Sequence, residues 1–143
     1  MSNPVDARVA GRLSMAYMMA FASEVLRRFP IDMLDMVLIT TIANLNLTAD
    51  GAVTRERLAD PAPRRIGVSR NAVSRALNVP LETARRRIAV LIKRNILVEQ
   101  DDGLVFSPDN GIALGNNAAL NEFNMNLLRT LIRDLRGFGV ELD

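Results

Sequence analysis

The chain has 143 residues, 49% of them hydrophobic, with both charge signs abundant, which suits one globular domain with a real core and not a disordered polymer. It contains no cysteine and no histidine, which excludes disulfides, zinc fingers, iron–sulfur clusters, thiol redox sensing and Ser-His-Asp catalysis. The net charge of +2 conceals a segregation: residues 1–54 sum to −1, residues 55–94 carry eleven basic against three acidic side chains for +8, and residues 95–143 sum to −5. A positive field confined to one block is the footprint of a polyanion-binding surface.

From Val5 to Phe29 the apolar residues Val9, Leu13, Tyr17, Phe21, Val25 and Phe29 recur at every fourth position. Met15, Met18, Met19, Ala22 and Leu26 widen the stripe, so the segment reads as a long helix with more apolar surface than one small core needs. Methionine at helical spacing marks core or a dimer interface before it marks a ligand pocket. Arg8 and Arg12 ahead of a short apolar run, with Ala20-Phe21-Ala22 behind it, imitate a secretion signal. The run is short and holds Ser14, and a cytoplasmic protein is expected.

Pro30 breaks this helix, and a second is expected over 31–47. Met33, Leu34, Met36, Val37, Leu38, Ile39 and Ile42 leave it almost no polar face, which predicts the buried centre of the domain. Asp32, Asp35, Asn44 and Asn46 interrupt it short of the about 20 apolar residues a membrane span requires. Residues 48–68 are the least regular part: a turn at Ala49-Asp50-Gly51, a short helix capped by Thr54 and running to Ala59, then Pro61-Ala62-Pro63. The arginines of this segment read equally as phosphate contacts or as a wet loop.

The organising stretch runs from Ser69 to Val98. Ser69 can cap a helix over Arg70 to Leu77; Asn78 then suits a left-handed reversal, Val79 supplies an apolar plug, and Pro80 suits a helix start. In the helix that follows, Ala84, Ile88, Leu91 and Asn95 share one face, edged by Leu81 and Ile92. Glu82, Arg86, Ala89 and Lys93 stand opposite with Arg85 on the flank, since successive residues advance by about 100°. A rival register would start the turn at Ile66-Gly67-Val68-Ser69, but the helix it needs upstream would have to run through Pro61 and Pro63.

The residues LNVPLETARRRIAVLIKRNIL, from Leu77 to Leu97, resemble the helix-turn-helix of bacterial winged-helix regulators of the MarR type and the cyclic-AMP receptor protein type. Leu77, Val79, Glu82, Thr83, Arg86, Ile88, Leu91 and Leu97 stand at matching places. Asn78 and Asn95 replace two usual glycines, Pro80 replaces the serine cap, and Leu81 replaces a residue that is often Arg. The resemblance covers about thirty of the 143 residues. It implies a sequence-specific DNA-binding transcriptional regulator, a repressor by preference.

On that reading the helix at about 80–95 lies in the major groove, where edge groups distinguish all four base pairs. Arg86 can donate twice to a guanine and Glu82 can accept from a cytosine, with Arg85 and Leu81 completing the base-reading set. Arg70, Asn71, Arg75, Thr83 and Lys93 are the candidate phosphate contacts. Against this, Glu82 and Arg86 are also spaced for an ordinary i,i+4 ion pair.

Residues 96–100 and 104–107 read as two strands joined by Asp101-Asp102-Gly103, a strong hairpin signal. This small wing carries Glu99, Asp101 and Asp102 and is expected to brace the domain more than to grip phosphate. After a connector at 108–115, Asn116 or Asn117 can cap a last helix with a stripe of Leu120, Phe123, Leu127, Leu128, Leu131, Ile132 and Leu135, ended by Gly137.

The expected fold is therefore mainly α: a single domain over 1–143 with core and dimer-interface helices at 1–48, a winged helix-turn-helix at 69–107 and a dimerisation helix at 116–137. The expected partners are double-stranded DNA and a second copy of the chain; if the protein takes a small apolar effector, a cleft between the dimer helices is the default place for it. No catalytic residue, metal site, cofactor or membrane partner is expected. The alternative function is a winged-helix protein-interaction module without specific DNA binding, favoured by the acidic wing and by Leu81.

Overall fold

The computed structural model describes residues 2–51, 53–107, 109 and 116–142. The protein is mainly helical with one small two-stranded antiparallel sheet. In chain order its elements are α1 (Pro4–Arg28), α2 (Met33–Thr48), α3 (Arg55–Ala59), α4 (Arg70–Leu77), α5 (Leu81–Lys93), β1 (Leu97–Gln100), β2 (Gly103–Phe106) and α6 (Ala118–Gly137). Where the sequence suggests one domain, contacts divide the chain into two compact units, 1–30 with 118–143 and 31–117. The helices expected together at 1–48 are thereby separated: α1 packs with α6, whereas α2 belongs with α4, α5 and the sheet. The connector expected at 108–115 lies, apart from Asp109, outside the described residues.

In the first unit, Asn3 caps α1 by accepting from the Val5 amide at 2.8 Å. The predicted stripe of α1 turns inward, with Val25 buried and Val9, Leu13, Tyr17 and Phe21 half-buried. Leu120 and Leu135 are the buried residues of α6, and the Tyr17 hydroxyl donates to the Asn124 side-chain carbonyl to join the two helices. Met15, Met18, Met19, Met125 and Ile132 stay exposed. Gly137 is the last helical residue of α6, and the reversal falls at Gly139 (φ 73°), where the Val140 and Gly139 amides return to the carbonyls of Leu135 and Arg136. This is the Schellman closure, which needs a left-handed residue.

The second unit is built on α2. Asp32 and Asp35 form a reciprocal capping box at its start, satisfying two of the orphan amides of the first turn. Leu38, Ile39 and Ile42 are buried and join one cluster with Val68, Val73, Ala84, Ile88, Leu91, Ile96, Leu97, Leu104 and Phe106. The apolar density of α2 is thus explained by contact with α4, α5 and β2 at once.

One polar residue sits at the middle of this core. Asn46 is fully buried: its Nδ2 donates to the carbonyls of Ile66 (2.7 Å) and Leu104 (3.0 Å), and its Oδ1 accepts from the Phe106 amide (2.9 Å). The Ile66 amide in turn donates to the Asn46 main-chain carbonyl. Val68 exchanges both of its backbone bonds with Leu104, as a third strand would. Two residues along, Ile66 and Phe106 would be the next such pair, and Asn46 is inserted between them. An amide side chain, with one acceptor and two donors on a common plane, can bridge an N–H and a C=O in this way. The sequence treated Asn46 only as an interruption in an apolar helix.

β1 and β2 pair in the register Leu97↔Phe106 through Gln100↔Gly103; β1 starts one residue later than expected, and β2 is shifted one residue earlier, so that Gly103 joins the strand instead of the turn. Asp101 and Asp102 form the turn and Gly103 adopts φ 134°. Gly67 lies against this turn so closely that a Cβ there would sit 2.4–2.5 Å from Asp102 Oδ1, Asp102 C and Gly103 N.

Candidate nucleic-acid interface

The register of α4 and α5 is the one read from the sequence. Ser69 caps α4 by accepting from the Ala72 amide at 3.1 Å. Asn78 adopts the left-handed conformation, φ 52° and ψ 44°. The Asn78 and Val79 amides return to the carbonyls of Arg75 and Ser74, and the Ser74 hydroxyl donates to the Val79 carbonyl at 2.6 Å. The three-residue connection Asn78–Pro80 is therefore pinned to the end of α4. Pro80 makes no side-chain cap for α5, as expected where proline stands for serine.

α5 buries Ala84, Ile88 and Leu91 completely and leaves Glu82, Arg85, Arg86, Ala89 and Lys93 exposed. Asn95 departs from the inward face assigned to it. It is exposed, with φ 59°, and the Asn95 and Ile96 amides return to Ile92 and Leu91. The residue serves as a left-handed helix terminator in place of the usual glycine, while its neighbour Ile96 takes the buried place.

Glu82 and Arg86 form no ion pair, and Arg85, Arg86 and Lys93 have no acidic side chain within 4 Å among the described residues. The i,i+4 alternative is thus not the arrangement of these two side chains. Of the other candidates, Leu81 and Thr83 are half-buried, Asn71 and Arg75 are exposed, and Arg70 is engaged: its Nη1 and Nη2 donate to Oε1 and Oε2 of Glu99 at 2.6 and 3.4 Å. This contact holds the Glu99 carboxyl below its usual range. Asp102 is also occupied, accepting from the Gly67 amide at 2.8 Å. Two of the three hairpin acids therefore knit the hairpin to the body, as a bracing element would.

Two arginines not singled out by the sequence act as struts. Arg87 Nη1 donates to Asp32 Oδ2 at 2.6 Å and lies 3.6 Å from Asp35 Oδ1, tying α5 to the start of α2. The Asp35 amide and then Arg87 lower the Asp32 pKa, and the Arg87 pKa is raised in turn by Asp32. Arg57 reaches Asp50 and the carbonyls of Asn46 and Arg64, so the irregular segment after α2 is held by its own guanidinium. The Arg87 pairing joins residues 55 apart in sequence, which no local pattern reveals.

No protein-family model, curated protein or solved structure matches this chain. Among the described residues no group of acidic side chains could hold a metal ion, and no single helix is long and apolar enough to cross a membrane.

Proposed function

We propose that the protein is a sequence-specific double-stranded-DNA-binding regulator of transcription, acting in the cytoplasm as a homodimer through a winged helix-turn-helix made of α4, α5 and the hairpin. The observation that carries this is the outer face of α5, where Glu82, Arg85, Arg86 and Lys93 are exposed and have no ion partner among the described residues while the opposite face is locked in the core. Acids elsewhere in the unit claim Arg57, Arg70 and Arg87, but not the cations a major groove would meet. Arg86 and Glu82 read base edges, with Arg85 and Leu81 beside them, and Asn71, Arg75, Thr83 and Lys93 hold phosphates.

Dimerisation is supported by the first unit, whose two long helices leave Met15, Met18, Met19, Met125 and Ile132 in water. A second copy would cover them, and two half-sites about one helical turn apart would then be read together. The reading assigns the chain no catalytic step.

Selection of bound sequences from random duplex DNA tests it. A palindrome is expected, with an affinity that falls steeply with salt and is lost on substituting Arg85 and Arg86 together by alanine. The absence of any enriched sequence would refute it. Binding of a protein partner unaffected by the double substitution would favour the interaction-module reading instead.

A further inference from the structure

The pairing of Arg70 with Glu99 has a geometry that matters for any anion the surface receives. Two nitrogens of one guanidinium face two oxygens of one carboxylate, the same fork that guanidinium offers to a phosphate. Arg70 is the first residue of α4, and no acidic side chain lies in the first turn of that helix. A cation there opposes the positive end of the helix dipole, so the compensating charge has to come from another element. The hairpin supplies it, and in a solvated position: the Arg70 and Glu99 side chains retain 32% and 53% of their exposure. Such a pair is weakly held and readily exchanged. Its neighbours Asn71 and Arg75 are exposed and take no part in it.

We propose that Glu99 is an internal competitor for phosphate: it occupies Arg70 in the free protein and yields it to the DNA backbone on binding, so that the hairpin lowers affinity for DNA of any sequence. This inference rests on the DNA-binding reading above. The exchange trades one anion for another on the same guanidinium, so the contact adds little net charge neutralisation. Sequences that earn base contacts from α5 overcome the competition, whereas non-specific duplex does not.

The test is a double-mutant cycle on the full-length protein, comparing wild type, Glu99→Gln, Arg70→Gln and the double variant on the selected duplex and on an unrelated one across a salt series. Glu99→Gln is expected to tighten binding to the unrelated duplex by up to about fivefold, the scale of an exposed ion pair. On the unrelated duplex, where Glu99 otherwise keeps Arg70, it should also steepen the slope of log affinity against log salt by up to about 0.9, the share of one additional phosphate contact. In the Arg70→Gln background the Glu99→Gln change should alter neither. If wild type binds the selected duplex but Glu99→Gln leaves affinity and slope unchanged, Glu99 is only a brace and the proposal fails while the DNA-binding reading stands. If wild type selects no sequence and binds no duplex, both fail. Circular dichroism of each variant at the assay temperature separates a loss of binding from a loss of fold.

Discussion

Replacing Asn46 by alanine is the most demanding test of how the second unit is held together. The substitution removes the only partner, among the described residues, of the Phe106 amide and of the Ile66 carbonyl, whereas the Leu104 carbonyl keeps its bond from the Val68 amide. A buried polar group left unsatisfied costs about 1–3 kcal/mol; the buried Phe106 amide bears that cost in full and the part-buried Ile66 carbonyl a smaller one, so the expected loss is about 2–4 kcal/mol. That is a large share of the roughly 5–15 kcal/mol of a typical domain. Urea unfolding followed by helical circular dichroism measures it through the midpoint at constant slope. Asn46→Asp sharpens the test, because the shape and the acceptor for Phe106 are kept while the donor facing two carbonyls becomes an oxygen. The introduced carboxyl is disfavoured in its charged form, so its folded-state pKa is raised above the unfolded value. The variant is then weakest near neutral pH and recovers as pH falls and the carboxyl regains a proton to donate. A loss below about 1 kcal/mol for Asn46→Ala, without change of slope, would refute the reasoning. It would mean that Ile66 and Phe106 close on each other as an ordinary ladder pair.

Gly67→Ala should destabilise by about 1–3 kcal/mol, the usual cost of overpacking, because its Cβ would lie about 2.5 Å from backbone atoms of Asp102 and Gly103; a thermal melt unchanged within error would count against that contact. Asp32→Asn keeps the cap on α2 but removes the charge facing Arg87. Because the Asp32 pKa is lowered in the folded state, its contribution is complete above the unfolded value, about 3.9, and is lost as pH falls through the depressed one. The melting temperatures of wild type and variant should therefore differ at pH 6 and converge toward pH 2; a gap constant with pH would show that the charge is not what Asp32 contributes. At Asn78 and Asn95, both left-handed, glycine should be neutral or stabilising and valine should cost about 1–2 kcal/mol or more, read from unfolding midpoints.

Local chemistry was enough to place most elements. Ser69, Asn78 and Pro80 bracket α4 and the turn because capping and left-handed geometry act within four residues, and the stripe of Ala84, Ile88 and Leu91 turned inward as its period required. The prolines at 61 and 63 rejected the rival register correctly, since no helix runs through them. Asn95 shows where that logic stops: periodicity counted it as a core position, but a residue that ends a helix leaves the helical face.

The tertiary structure alone decided what the polar residues do. That Asn46 stands in for a strand between Ile66 and Phe106, that Arg87 holds the cap of α2, that Glu99 occupies Arg70 and that Gly67 abuts the hairpin turn all depend on elements from 20 to 60 residues apart in the chain. The same holds for the association of α1 with α6. Hydrophobic periodicity reports which face of a segment is buried but not against what. A hydrogen bond or ion pair depends on angstrom distances between specific atoms, and those distances exist only once the apolar faces have packed.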